Sequence, residues 1–484
     1  MLFNSLEFFY FLPAAFTLYW ATRRSLRVQN LAVVLASYVF YGWWDTRFLL
    51  LIALTTLASY ASGLLIDKAR SRTGRRWVCG ANVVLNLAIL AYFKYCDFFA
   101  QNFASLLRLA GMKADWVTLD IMLPVGISFY TFQALSYTID VYRRRVPATR
   151  DAAAFFAYVS FFPQLVAGPI ERATSLLPQF LRARSFSYPA AVDGMRQMLW
   201  GFFKKIVIAD NCSWIVHHTW GSYSSMSGTA MLVGVVAFTI QIYSDFSGYS
   251  DIAIGAARLF GINLSRNFNY PFFSSNMREF WRRWHISLST WLRDYVYIPM
   301  GGSRGSRMAT ARNIVVVFLL CGLWHGANWM FVLWGAYNAL LLLPHTLFGR
   351  RKREPLGTPS LSRLGGMLVT FALCTFGFAI FGSNSWGEFT GVMGRVFSPS
   401  VLSMSVDFGP KQNFTAAATA VATAVMLAAE WAQRDKQHAL QTPAPGQKRN
   451  LLSSAAGRWC AYLAIVLTIE LVGAYKANFI YFQF

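Results

Sequence analysis

Long, almost purely apolar stretches follow one another along this chain, at about 2–21, 30–44, 48–66, 77–93, 121–140, 152–169, 192–217, 229–257, 313–343, 366–382, 414–432 and 456–473. A helix needs about 20 consecutive apolar residues to cross the hydrocarbon core of a bilayer, and several stretches approach that length. Lipid offers no partner to a stray backbone N–H or C=O, so spanning segments are helices or closed barrels. A barrel would show short alternating strands, whereas these runs are continuous and rich in Leu, Ala, Val and Phe. Composition excludes the soluble alternative. The chain is 56% hydrophobic and 13% charged, about half the charged share of a soluble domain, and no soluble interior hides that much apolar surface. The expectation is an all-α polytopic membrane protein of ten to twelve membrane segments. It forms one domain over 1–484, with no internal repeat and no soluble module.

The formal net charge of +23 has an ordinary explanation in such a chain: Lys and Arg collect in cytoplasmic loops beside anionic headgroups. No nucleic-acid motif accompanies the charge, so no nucleic-acid partner is expected. Arg23, Arg24 and Arg27 follow the first stretch, Lys68 through Arg76 the third and Arg143–Arg145 the fifth, an alternation that fits positive-inside orientation. Residues 350–353 (RRKR) and 434–449 read as exposed cytoplasmic loops. At the N-terminus the arginines come after the apolar run, which fits a first membrane helix rather than a cleaved signal peptide. The six cysteines are scattered without CxxC or zinc spacing and read as small residues of the membrane core.

Chemistry concentrates in 241–335. Asp245 and Asp251 lie inside an apolar stretch, in QIYSDFSGYSDIAIG. Carboxylates at membrane depth face a bundle interior or a watery cavity, and two readings stand for each: a bridge between backbone groups, or part of a polar pathway. Further on, Trp281, Trp284, Leu288 and Trp291 share one helical stripe, with Arg278, Arg282, His285, Ser289 and Arg293 beside it. That pattern predicts one charged helix, too charged to span, that lies at the membrane interface or dips in from the cytoplasmic side as a re-entrant segment.

Of the six histidines, His438 is expected in a solvated loop and His345 at an interface; the neighbours His217 and His218 point apart on a helix. No HExxH or equivalent ligand set exists, and no metal is expected. His285 and His325 remain, each beside a tryptophan. His325, flanked by Trp324 and Gly326, interrupts the 313–343 apolar run, which is long enough for two short crossings or one broken helix, with the interruption at GLWHGAN between Gly322 and Gly326. A buried histidine satisfied by a carbonyl is one reading. The other is a general base kept neutral by burial, with Asn328, three residues on, fixing its tautomer.

Two long motifs in order, WRRWHISLSTWLRDYVYIPMGGSRGS at 281–306 and GLWHGANWMFVLWG at 322–335, resemble the membrane-bound O-acyltransferase family. LPVGISFYTFQALSYTIDVYR at 123–143, FFPQLVAGPIER at 161–172, YSDFSGYSDIAIG at 243–255 and the terminal FIYFQF at 479–484 are similar to its bacterial branch, the membrane subunits of alginate and cellulose O-acetylation. The teichoic-acid D-alanylation subunit is a more distant cousin.

The resemblance implies a ring of tilted helices around a funnel in a bacterial inner membrane. It makes His325 the catalytic histidine and His285 the second motif histidine, with Trp324, Asn328, Asp245 and Asp251 as supporting or tunnel-lining residues. The donor it implies is acetyl-CoA, bound from the cytosol; Arg278, Arg282, Arg283 and Arg293 stand either near its phosphates or against the phosphates of membrane lipid. His285, or a polar group near Asn328, would orient the donor or stabilise the oxyanion. The implied partners are an exported polysaccharide, membrane lipid and a periplasmic SGNH-like acetyltransferase or other polysaccharide-modification subunit. The rival expectation is a polysaccharide or lipid-linked sugar transporter, or an export scaffold, without acyl-transfer chemistry.

Overall fold

The computed structural model describes residues 1–112, 121–166, 168–348, 361–403, 406–443, 446, 450–473 and 475–482. Among them every regular element is a helix. Seven helices are long and apolar enough to cross a membrane: Arg47–Lys68, Arg72–Leu109, Gly228–Leu259, Arg307–His325, Leu361–Gly382, Gln412–Ala432 and Ala455–Val472, with the shorter Trp329–Pro344 beside them. Other apolar stretches make shorter pieces. Leu6–Ala21 and Leu26–Gly42 have 16 and 17 residues, which at 1.5 Å per residue rise about 25 Å, just under a hydrocarbon core of about 30 Å. The 152–169 stretch divides into Ala152–Ser160 and Phe162–Leu165, with Pro163 at the start of the second.

The chain forms two compact units, Met1–Gly194 with Ala256–Ser265, and Met195–Gly255 with Arg266–Phe484. In the first, side chains are sorted the opposite way from a water-soluble bundle. On Arg47–Lys68, Leu50, Leu54, Leu57 and Leu65 are exposed while Thr55, Thr56, Ser59 and Ser62 are buried. On Arg72–Leu109, Asn82 and Asn86 are buried, and Trp77, Val84 and Leu85 face outward. The inward residues bond across helices: Asn82 Nδ2 donates to Thr138 Oγ1 at 2.8 Å and Ser59 Oγ at 3.3 Å. Lipid gives no reason to hide leucine, so small polar residues make the interhelical contacts.

The second unit contains two local departures from regular helix. Tyr188–Phe202 runs into seven residues of wider, π-type turns, Phe203–Ala209, before Asp210–Gly221. Such turns cluster where side chains must be re-aimed, and these carry Lys204 and Lys205. The second departure is the break in the long apolar run. Arg307–His325 and Trp329–Leu347 are separate helices, divided at Gly326–Asn328. They pack closely because Gly322 and Gly335 have no side chain: a Cβ on Gly322 would collide with the Phe331 carbonyl, and one on Gly335 with that of Phe318.

Two expectations are corrected here. The interfacial helix over 278–293 is two short helices, Met277–Arg283 and Ile286–Leu292, and most of it is interior: Phe280, Arg283, Trp284, His285, Leu288 and Trp291 are all buried. Its tryptophan stripe packs against protein rather than headgroups. His438 is also interior, 1% exposed beside buried Ala439 and Leu440, because its loop turns back on itself (Gln441 N–H to the His438 carbonyl, 3.2 Å) and seats the apolar pair. The RRKR run, Lys448, Arg449 and the His345 side chain lie outside the described residues.

Candidate active site

The second unit brings His285 and His325 to one aromatic circuit. His325 is the last residue of Arg307–His325 and is 5% exposed. Its ring centroid lies 4.9 Å from Trp324, 5.1 Å from Trp334, 5.2 Å from Phe381 and 5.6 Å from Tyr481. Cys321, one turn earlier, places Sγ 4.0 Å from His325 Nε2. His285 is 1% exposed and lies 4.7 Å from Phe246 and 5.8 Å from Trp324. Phe246 in turn meets Tyr481 at 4.6 Å. The path His285–Trp324–His325–Tyr481–Phe246 therefore closes on itself, drawing on four separate stretches of chain.

Local structure explains each placement. A helix ends at His325 because Gly326 is fully extended (φ −168°, ψ 159°) and Asn328 opens the next helix. Asn328 does so as an N-cap: its Oδ1 accepts from the Met330 N–H at 2.8 Å, and its Nδ2 donates to the Asn384 carbonyl at 3.0 Å. The expected role for Asn328, fixing the His325 tautomer, is thus corrected. At the break its amide is committed to satisfying the first turn of Trp329–Leu347.

His285 sits at the break between the two short helices in the left-handed region, φ +42°, ψ 55°. That conformation costs a non-glycine residue about 1–3 kcal/mol and is offset by a neighbouring strip. Asn269 N–H bonds the Arg283 carbonyl at 2.9 Å, and Ile286 N–H bonds the Asn267 carbonyl at 2.8 Å. The Asn267 side chain completes the hold: Oδ1 lies 3.0 Å from His285 Nδ1 and accepts from Ser287 Oγ at 3.0 Å, while Nδ2 donates to Ser250 Oγ at 3.2 Å.

Asp245 and Asp251 are six apart on Gly228–Leu259 and serve different ion pairs. Lys205 Nζ lies 2.9 Å from Asp245 and 2.7 Å from Asp210, and donates to the Ala477 carbonyl at 3.0 Å. Asp245 Oδ2 also accepts from the Ile480 N–H at 2.7 Å. The cluster thereby fastens the C-terminal segment that carries Tyr481 into the circuit. Asp251 pairs with Lys204 at 2.6 Å and accepts from Gln197 at 2.7 Å; Lys204 also lies 3.8 Å from Glu430, which accepts from Tyr243 at 2.7 Å. Among the described residues neither aspartate is tied to neighbouring backbone groups as the first reading had it: Asp251 bonds side chains of another helix, and Asp245 bonds Lys205 and the terminal segment.

The four arginines divide. Arg283 is buried and pairs with Glu279 at 2.7 Å, so its role at donor phosphates is corrected to a structural one: that guanidinium already has its anion. Arg293 is exposed and paired with adjacent Asp294 at 2.7 Å. Arg282 is exposed and Arg278 half-buried. Sequence reasoning missed Asn267, Phe246, Trp334, Phe381 and Cys321. Only Cys321 carried a local sign, one helical turn before His325. Tyr481 was visible only as part of the FIYFQF ending. No group of three or more metal-ligating side chains occurs among the described residues.

Residues 143–380 match the model of the MBOAT, membrane-bound O-acyltransferase, family. Both histidine segments fall inside that range. The chain is 42% identical over 384 residues to a probable alginate O-acetylase of Pseudomonas aeruginosa, covering 79% of this chain and 72% of the relative. It is 33% identical over 411 residues to a peptidoglycan O-acetyltransferase of Helicobacter pylori, covering 79% and 77%. A teichoic acid D-alanyltransferase of Bacillus subtilis is 28% identical over 274 residues, covering 53% and 68%.

Proposed function

Since this chain belongs to the membrane-bound O-acyltransferase family and is a multi-pass membrane O-acetyltransferase, we propose that it resides in the bacterial inner membrane and carries acetyl from cytosolic acetyl-CoA to hydroxyls of an exported polysaccharide. Alginate is the first candidate polymer, because it is named in relatives at 39–45% identity; cellulose is the second. Transfer is direct or passes through a periplasmic SGNH-like acetyltransferase.

The observation that carries this reading is the aromatic circuit holding two imidazoles in an interior lined by rings. Acetyl transfer from a thioester to an alcohol needs a base for the hydroxyl proton, and exclusion of water so that the thioester is not hydrolysed. His325 takes that proton as the oxygen attacks the thioester carbonyl, and returns it to the departing thiolate. Trp324, Trp334, Phe381 and Tyr481 shield the reacting carbonyl. Arg278, Arg282 and Arg293 meet the donor phosphates. The buried Asp–Lys pairs, which would suit a transport pathway, satisfy one another and the C-terminal segment.

The test is a reconstituted vesicle with labelled acetyl-CoA on the cytosolic face and alginate or cellulose oligomers on the other, with and without the SGNH partner. Label on oligomer, lost in His325→Ala, supports the reading. Oligomer crossing the membrane without acquiring label would replace it with the transporter.

A further inference from the structure

His285 combines three features that no family role for it requires. Its backbone is held left-handed at φ +42°. Its Nδ1 lies 3.0 Å from the Asn267 side chain. Its Nε2 is buried and has no hydrogen-bond partner among the described residues. The identity of the Asn267 atom decides the chemistry. The Ser287 backbone N–H points to the same Asn267 atom at 3.4 Å. A backbone amide only donates, so that atom is the carbonyl oxygen and not the NH₂. The opposite end, Nδ2, then has Ser250 Oγ as its acceptor, so both polar atoms of the Asn267 side chain are matched in this orientation. An oxygen at 3.0 Å obliges neutral His285 to donate from Nδ1, and a neutral imidazole protonated at Nδ1 presents a lone pair at Nε2.

We propose that Asn267 is a positioning residue that locks His285 as the Nδ1–H tautomer, so that His285 Nε2 acts as a hydrogen-bond acceptor for an O–H or N–H of the substrates. This rests on the acyl-transfer reading above. It reverses one expectation drawn from the family resemblance: His285 held in this way has no proton at Nε2 to offer an oxyanion. The arrangement is that of a base oriented by a third group. Phe246, Phe268 and Trp324 face the ring from three other stretches. Beyond Trp324 lie the titratable His325 and Tyr481. Burial alone lowers the proton affinity of His285, to about 3, which keeps Nε2 bare through the physiological range.

The experiment uses the full chain in lipid with ¹⁵N-histidine, the His285 signals being those lost in His285→Asn. Wild type should show the Nδ1–H tautomer from pH 5 to 8. Asn267→Ala should mix the tautomers and slow transfer by about tenfold to a hundredfold, the size of effect seen when the hydrogen-bond partner of a metal-bound histidine is removed. Asn267→Asp should keep the Nδ1–H tautomer and restore part of the rate. By placing a carboxylate on Nδ1 it should also raise the imidazole's proton affinity, moving the titration of the His285 ¹⁵N signals upward by about one pH unit or more. A purely structural Asn267 would lower the folded fraction without moving that titration. The proposal is overturned by an Nε2–H tautomer in wild type, or by an Asn267→Asp His285 titration that superimposes on wild type. Absence of acetyl transfer in wild type would instead count against the acyl-transfer reading and leave the tautomer result standing.

Discussion

His285 and His325 touch the same tryptophan but are held by opposite means. His285 is gripped by polar groups in a strained break: a side-chain amide at Nδ1, a backbone bond at the next residue, and a left-handed φ. His325 ends a regular helix and is walled by rings on several sides. The first environment fixes which nitrogen carries the proton. The second excludes water and leaves the surroundings of the imidazole largely apolar. A site that moves a proton during acyl transfer needs both kinds of control. The comparison therefore divides the work, with orientation at His285 and proton transfer at His325.

The largest expected effect tests that division. His325→Ala should lower acetyl transfer by about a thousandfold, within the range of a positioned acid–base group, while the purified protein stays folded. Transfer by well-folded His325→Ala at the wild-type rate would break the comparison and move the base elsewhere. The next effect falls on the C-terminal segment, which completes the wall on the His325 side. Lys205→Met removes a cation placed within 3 Å of both Asp210 and Asp245 and frees the Ala477 carbonyl. Leaving buried charges uncompensated costs about 3–5 kcal/mol, seen as a large drop in melting temperature and as proteolysis from the C-terminus. A melting curve like that of wild type would mean the segment is held by its rings alone. Tyr481→Ala should cost less, about 2–4 kcal/mol for a large aromatic side chain. Tyr481→Phe keeps the contacts with His325 and Phe246 and should melt within about 0.5 kcal/mol of wild type.

Much of the fold was legible because lipid imposes it. Leucine-rich runs such as 48–66 and 366–382 became the helices Arg47–Lys68 and Leu361–Gly382, since an unsatisfied backbone has no other arrangement there. The break at GLWHGAN was legible from Gly322 and Gly326. What it hid was the purpose of Asn328, because a cap and a tautomer-fixing partner use the same amide. The 278–293 stretch misled for a related reason. Its helical spacing is real on either side of His285, but periodicity carries no sign of a single left-handed residue, which long-range bonds from Asn267 and Asn269 stabilise. Likewise, nothing near Asp245 in sequence points to Ile480, 235 residues away. Local signals fixed the elements, and the circuit between them depends on pairings across the chain.

The smallest effect concerns the arginines beside the first histidine, and it sharpens the comparison by separating that segment's structural charge from its available charge. Arg283 is buried against Glu279, and the Ser275 N–H and Oγ also bond that carboxylate, each at 2.9 Å. Although burial alone would raise it, these bonds together with Arg283 and Arg363 hold the Glu279 carboxyl below its ordinary 4.5. A depressed carboxyl stabilises the fold above about pH 4.5, and the contribution fades as pH falls below that value. Arg283→Ala should therefore lower the melting temperature at pH 7, and the difference should shrink progressively as pH falls below about 4.5. Arg282 and Arg293 are exposed, and a surface cation contributes about 1 kcal/mol or less to stability. Arg282→Ala with Arg293→Ala should leave the melting temperature unchanged and raise the KM for acetyl-CoA by about threefold to tenfold at low salt, with kcat retained. The increase should shrink as salt screens the phosphates. An unchanged KM would assign both guanidinium groups to lipid headgroups, and a fall in kcat without a change in KM would place them closer to the reacting carbonyl than their exposure implies.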